Sequence, residues 1–468
     1  MEANVFSGSF QVVVMSDDGN GSDYDSDNQS NFSDSEKDFR KLVLLTVITM
    51  TLLAQTIPLE PPRIGNSRSD RREALQYVRS WDDDMFRRQF RLCRDDFGFV
   101  LHKIAPLIVR NEVRAIASSG SSICPELRLM ITLRILAGAK YLDMIWYRVH
   151  VDHVHELVID CVKAINSALN NIAIPATEAA WIHEAEQFRG VLRKKHGFMG
   201  DKILRGICGA GDGLVIQIVE PVASDLNGKP SKNYMNRKGF FALLVQAFCG
   251  DFTKFWYFNV GWPGATNDII AYKQTDLYIA ATNGTIPDWV SFLLDEAYSS
   301  CGGRHLTPFS QHQLRRAYGI GLNTLYYQMR TFNHALSSQR ISIERAFGQL
   351  VRRWGILWCA NSSRLKNVSV IVLVCAKLHN LCVDRWIING RRNNVDILGT
   401  DEDVPLHDGI DNRRPSDLEV SQRLNNRYSE ISTRAAVCDL RNSLTEKIWD
   451  CGLRITSEND LVGLPTIL

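Results

Sequence analysis

The feature that most constrains this chain is a change of pattern near residue 203. Upstream, apolar residues recur at helical spacing. Downstream, three apolar runs follow in quick succession: GDGLVIQIVEP, GFFALLVQAFCGD and KFWYFNVGWPGA. Their β-branched and aromatic residues, with Gly250-Asp251 between the second and third, predict three strands joined by turns. Helical spacing returns from Asn267 to about Ala281. WVSFLLDEAY, after Pro287, reads as a short buried strand closing on Asp295, and long helical segments follow at Ser337–Trp354 and Leu365–Arg385. The order β-β-β-α-β-α predicts an antiparallel meander, then a crossover strand. This is an α/β fold with a mixed sheet flanked by helices.

The upstream part predicts an all-α domain. Asp82–Asp84 can cap a helix, Pro125 and Glu126 open another, Asp143 starts a short one, and His150–Ala168 carries a longer one. Paired helices with a short connector read either as a helix-turn-helix or as a packing module. The chain thus divides into an acidic polar leader over 1–40, an apolar helix with a Pro/Arg-rich linker over 41–80, a helical domain over 81–200, the sheet domain over 201–390 and a polar, partly helical tail over 391–468. The apolar run 42–57 carries four threonines and a glutamine. It is short for a membrane span, so no membrane is expected.

Charge and cysteine usage narrow the function. Residues 16–38 hold eight acids against Lys37, a net −7. The whole chain is +2, so the remainder carries +9, a balance compatible with a polyanionic partner. Eleven cysteines show no CxxC pair and no Cys/His cluster, which argues against a disulfide framework or a structural zinc site and for a reducing compartment.

Three acids stand out: Asp212 on the first strand, Asp295 closing the fourth and Glu344 in the helix RISIERAFGQLVRRW. Singly, each reads as a turn cap or a surface ion pair. Together, on a sheet whose first and fourth strands are neighbours, they can converge. Converging carboxylates repel unless cations join them, and the hard ion Mg²⁺ favours such oxygen ligands. Two such ions can activate an attacking oxygen and stabilise a leaving one in phosphodiester cleavage. Asp268 competes with Asp295 for the second ligand position. It follows the third strand beside the helix-capping residues Thr266 and Asn267. It lies 76 residues before Glu344, against 49 for Asp295. This favours Asp295, with Asp268 structural. Lys232, Arg237 and Lys238 precede the second strand and read as phosphate contacts or as a solvated turn; Arg340, Arg345, Arg352 and Arg353 flank Glu344, where Arg352 or Arg353 could reach backbone phosphate or the set could form salt bridges to the sheet's acids. His379 in LHN, and Asn333, read as buried hydrogen-bonding groups.

Six ordered blocks between about 203 and 385 resemble the PIF/Harbinger transposases and their host-domesticated relatives. They are GDGLVIQIVEP, NYMNRKGFFALLVQAFCGD, VGWPGATNDIIAYKQTDLY, LLDEAY, FNHALSSQRISIERAFGQLVRRWGIL and CAKLHNLC. FRLCRDDFGFVL and PELRLMITLRILAGAKYLDM resemble that family's N-terminal part. The resemblance implies an RNase H-like fold and a DDE superfamily endonuclease that cuts and joins DNA with Mg²⁺ or Mn²⁺, two ions in all. Asp212, Asp295 and Glu344 match its catalytic and metal-binding acids. It also implies DNA as partner, a separate Myb-like protein for targeting, possible oligomers and a nuclear location. Leu214 and Val215 stand where the family usually has Thr-His, Leu294 where it has Gly, and Val351 where it has a basic residue. The alternative is a domesticated DNA- or protein-binding relative with little catalysis.

Overall fold

The computed structural model describes residues 38–39, 41–46, 49, 71–109, 123–188, 206–250, 252–388 and 434–450. Most of the acidic leader, the linker over 58–70 and most of the tail lie outside the described residues. The chain divides into two compact units, Met1–Ser67 and Arg68–Leu468. In the first, residues 41–46 of the apolar run are helical, and Leu42, Val43, Leu44 and Leu45 are exposed.

The second unit begins with helices α1 (Arg71–Arg79), α2 (Asp83–Phe90), α3 (Arg94–Ile108) and α4 (Pro125–Leu136). A 3₁₀ turn (Tyr141–Tyr147), α5 (Val151–Ala168) and α6 (Glu178–Phe188) follow. The expected start signals operate. Asp82 accepts from the Met85 N–H at 2.6 Å, Pro125 fills the first position of α4, and His150 caps α5. α4 is buried nearly all round, from Leu127 to Leu136. It is therefore the centre of this helical layer, not an amphipathic surface helix.

The sheet comprises β1 (Ile207–Gln217), β2 (Ala242–Cys249), β3 (Phe255–Pro263), β4 (Ser291–Leu293) and β5 (His305–Leu306), in the spatial order β3-β2-β1-β4-β5. β1–β2 and β2–β3 are antiparallel, while β1–β4 and β4–β5 are parallel. The mixed sheet and the adjacency of first and fourth strands match the sequence expectation; β5, two residues long, was not anticipated. The single helix expected after β3 is two, α7 (Asp268–Lys273) and α8 (Asp276–Thr282). Thr275 breaks it by capping α8 through its hydroxyl, which accepts from the Tyr278 N–H. The chain then forms α9 (Gln311–Gly319), α10 (Asn323–Arg353), α11 (Leu365–Ile388) and α12 (Arg434–Asp450).

Both faces of the sheet are covered. Leu243, Val245, Ala247 and Cys249 of β2 point into a large, mainly aliphatic core shared with α3, α4, α5, α10 and α11. The other face is aromatic: Phe248, Trp256, Tyr257 and Phe292 pack with Trp181 of α6, Tyr272 of α7 and Leu277 of α8. This face lies close on β1 because Gly209, Gly211 and Gly213 alternate there. A Cβ on Gly211 would come within 2.3 Å of the Phe248 ring. α11 is the one described helix long and apolar enough to cross a membrane, and two thirds of its apolar window is buried inside the protein.

Candidate active site

Asp212 lies in the middle of β1, opposite Ala247 of β2. On the other side, Ala210 pairs with Leu293 of β4. β4 ends there, but the chain stays extended through Asp295 (φ −75°, ψ 168°). Two further residues along each strand lead to Asp212 and to Asp295, whose charge acts on Asp212. Beyond that point no strand pairs with β1 on this side until Asn361 bridges Ile218 in parallel near its end.

Each acid is held by backbone. Gly213 N–H donates to Asp212 Oδ1 at 2.8 Å, and Glu296 N–H donates to Asp295 Oδ1 at 2.7 Å. Asp268 opens α7, but Asn267 caps that helix by accepting from the Ile269 N–H, leaving the Asp268 carboxylate for other work. It lies over Gly213, where a Cβ would come within 2.4 Å of Asp268 Oδ1. Glycine at 213 is therefore what admits the third aspartate. Gln246 of β2 points its Nε2 at Asp268 Oδ1 from 3.5 Å, and the Tyr298 hydroxyl donates to Gln246 Oε1 at 2.9 Å. Gln246 and Tyr298 are each 1% exposed. The tyrosine proton fixes which end of the amide faces the acid.

The electrostatics show how close these acids are. Burial, with the charges of Asp295 and Asp268 added, pushes the Asp212 carboxyl up to about 6, against the pull of Arg340 and the Gly213 N–H. Asp268 is raised by burial and by Asp295, with Arg237 opposing. Tyr298 is raised by burial and then by Asp212, Asp268 and Asp295. The three aspartates thus share one neighbourhood around the carboxyl end of β4.

Glu344 approaches from α10. That helix buries Phe332, Leu336, Ile343, Phe347 and Leu350 along one stripe, which fixes its rotation. Arg340 and Glu344, four residues apart, share a flank. Arg340 Nη1 donates to Asp212 Oδ2 at 2.9 Å and Nη2 to Glu344 Oε1 at 2.6 Å. Glu344 therefore joins the aspartates through a guanidinium. Among the described residues no three His, Cys, Asp or Glu side chains are gathered tightly enough to hold a metal ion.

The expected cations are distributed unevenly. Arg237 faces Asp268, while Lys232 and Lys238 are exposed in the turn before β2. Arg352 is exposed near the end of α10. Arg353 lies beside Arg91 and His379. Glu344 and Arg353 are nine positions apart, about 13 Å along a helix, so Arg353 is not part of the acid cluster. His379 Nε2–H donates to Thr253 O at 2.9 Å, and Asn333 bonds both the N–H and the C=O of Phe309. Both are structural, as the sequence suggested. Gln246 and Gly213, and the role of Tyr298, escaped sequence reasoning, although the period-two glycines of GAGDG were a usable sign of close packing on β1.

A family model described as DDE superfamily endonuclease matches residues 212–380. The matched stretch is about a third of the chain. It opens on Asp212 and closes on Asn380, so it takes in all four acids and the LHN motif. Protein ALP1-like from Arabidopsis thaliana is 22% identical over 330 residues, covering 66% of this chain and 73% of its own length. No solved structure matches the chain. The two matches support the Harbinger-type resemblance carried by the six blocks.

The match to an endonuclease family implies a divalent metal, and two observations fit one here. The donor set is carboxylate oxygen alone, as a hard cation requires. A cation also already bridges two of the acids, the guanidinium of Arg340.

Proposed function

We propose that the chain is a metal-dependent DNA endonuclease of the Harbinger type, with an RNase H-like catalytic fold. Asp212, Asp295 and Glu344 are its metal-binding acids. The observation that supports this is the grouping: β1 pairs with β4 up to Ala210–Leu293, two residues before Asp212 and Asp295, and Arg340 links Asp212 to Glu344 of α10. Mg²⁺ or Mn²⁺ bound there would stabilise charge on the attacking and leaving oxygens of a phosphodiester. The chain's own residues set the geometry. The Gly213 and Glu296 N–H groups hold one oxygen of Asp212 and of Asp295. The Tyr298–Gln246 pair steadies Asp268 behind them. The attacking oxygen comes from water in cutting and from a DNA 3′-OH in joining.

DNA is the substrate on this reading. Arg237, beside Asp268, and the exposed Lys232 and Lys238 would contact phosphates and supply affinity without sequence information. The α1–α6 layer, a separate Myb-like partner and nuclear import would supply targeting. A second reading is a domesticated relative that binds DNA or protein without cutting. It is favoured by Arg340 filling the space between Asp212 and Glu344.

Incubation of supercoiled DNA with the full chain and Mg²⁺ or Mn²⁺ separates the two. Nicking that needs metal and is lost in Asp212→Asn supports the endonuclease. DNA binding without nicking in either metal supports the second reading.

A further inference from the structure

Arg340 is the least exposed member of its own ion triad: its side chain is 14% exposed, against 26% for Asp212 and 37% for Glu344. It gives one nitrogen to each acid, so a whole guanidinium stands between the two carboxylates. A divalent ion holds carboxylate oxygens at about 2.0–2.1 Å from its own centre. To bridge Asp212 Oδ2 and Glu344 Oε1 it would have to take the place of the guanidinium that now holds both. The tight acid group that a metal needs is absent among the described residues, and Arg340 lies between two of its members.

We propose that Arg340 is an internal cation that must be displaced from Asp212 and Glu344 before a divalent metal can be held there, so that it sets the metal concentration at which the site loads. The inference rests on the acid assignment made under the proposed function. Arg340 is thus a positioning residue. It keeps the like-charged acids together in the metal-free chain, and it opposes metal entry. Guanidinium and metal neutralise the same carboxylates, so each weakens the other's hold to the same degree. The position suits arginine because only a fork can serve two acids with parallel donors; a lysine ammonium is a single point.

The experiment is a titration of the full-length protein with Mn²⁺ at pH 8. Binding is read by the loss of the free-ion electron paramagnetic resonance signal, and melting temperature is followed in parallel. Three chains are compared: wild type, Arg340→Gln and Arg340→Lys. Arg340→Gln should bind Mn²⁺ about tenfold more tightly, within the range usual for coupled sites. It should melt lower than wild type without metal and close that gap as Mn²⁺ saturates. Arg340→Lys should bind with intermediate affinity. A merely structural ion pair would lower the melting temperature by the same amount at every Mn²⁺ concentration and leave affinity unchanged, which would overturn the inference. If Lys matches wild type while Gln binds tightly, the arginine acts only as a distant charge and displacement is wrong. Should Arg340→Gln fold poorly, the Lys variant alone decides, since affinity equal to wild type contradicts the proposal. Adding Asp212→Asn separates the two layers of argument. Mn²⁺ binding that survives it moves the metal elsewhere and removes both the acid assignment and this inference. Binding that it abolishes, with no effect of Arg340→Gln, removes only this inference.

Discussion

Two polar regions of the stretch that matches the endonuclease family, the LHN corner and the acid cluster, are built in opposite ways. At the LHN corner, Asn380 accepts from the Phe255 N–H at 2.9 Å and donates to Phe255 O at 2.7 Å and Asn171 O at 2.9 Å. His379 bonds Thr253 O, Lys377 Nζ bonds Asn166 O, and Asn171 Nδ2 bonds Lys377 O. These groups end on backbone, and they fasten α11 to the start of β3, to the last turn of α5 and to the chain just after it. Asn380 also gives the edge strand β3 a partner, which blunts an otherwise open edge. At the acid end, like charges face one another, and neutralisation falls to Arg340 and Arg237. A motif that closes on backbone reads as architecture. One that leaves like charges together reads as a site waiting for a cation.

The contrast breaks if acid variants unfold the protein or corner variants abolish chemistry selectively. The largest expected effect is on cleavage. Asp295→Asn should lower the rate about a thousandfold, the order expected when transition-state charge loses its stabilisation, with melting unchanged or raised as repulsion falls. Asp268→Asn should retain measurable cleavage, because its carboxylate is tied to Gln246 on the far side of Gly213. If Asp268→Asn is the dead, folded variant and Asp295→Asn still cuts, the two aspartates exchange roles.

Next comes the corner. Asn380→Ala strips partners from three backbone groups, Phe255 N–H, Phe255 O and Asn171 O, and should cost at least about 3 kcal/mol, a desolvation penalty of about 1 kcal/mol or more for each. Urea unfolding measures this. Mn²⁺ affinity of the folded fraction should stay at the wild-type value, and a parallel loss of affinity would merge the two regions into one.

A smaller effect tests a buried acid away from the cluster. Burial of Glu184 on α6 pushes its carboxyl up to about 7, with Lys254 opposing. The folded state therefore binds this proton more tightly than the unfolded one. Stability from this group is greatest below the ordinary value of 4.5 and is lost as pH rises through 7. Glu184→Gln removes that loss. Its advantage over wild type should open between pH 4.5 and 7 and reach about 1–2 kcal/mol at pH 8, allowing for partial exposure. A pH-independent difference would contradict the assignment. The smallest effect is Tyr298→Phe. Loss of one hydroxyl should cost about 1 kcal/mol and, by freeing the Gln246 amide to turn, lower cleavage severalfold. Stability loss with cleavage intact would make the Tyr298–Gln246 pair purely structural.

Much of this contrast was legible in the residues, because strands announce themselves locally. The runs around Asp212, Val245 and Phe258 form β1, β2 and β3. Adjacency of β1 and β4 followed from the crossover order. The helices opened at Asp82, Pro125 and His150 because caps act over three or four residues. Long-range placement was less legible. Arg340 pairs with Asp212 across 128 positions, and Tyr298 meets Gln246 across 52. Such partners depend on helix rotation and sheet register, which local pattern does not encode. β5 is too short for any period to emerge. Arg353 carries the same sequence signal as Arg340, but the rotation of α10 directs it to Arg91 and His379.

The most direct measurement of the central contrast is melting temperature against Mn²⁺ concentration for wild type, Asp212→Asn and Asn380→Ala, because a ligand stabilises the folded state it binds by mass action. The account predicts a concentration-dependent rise in wild type, a rise of similar size from a lower starting point in Asn380→Ala, and little or none in Asp212→Asn. An undiminished rise in Asp212→Asn, or its loss in Asn380→Ala, would contradict it.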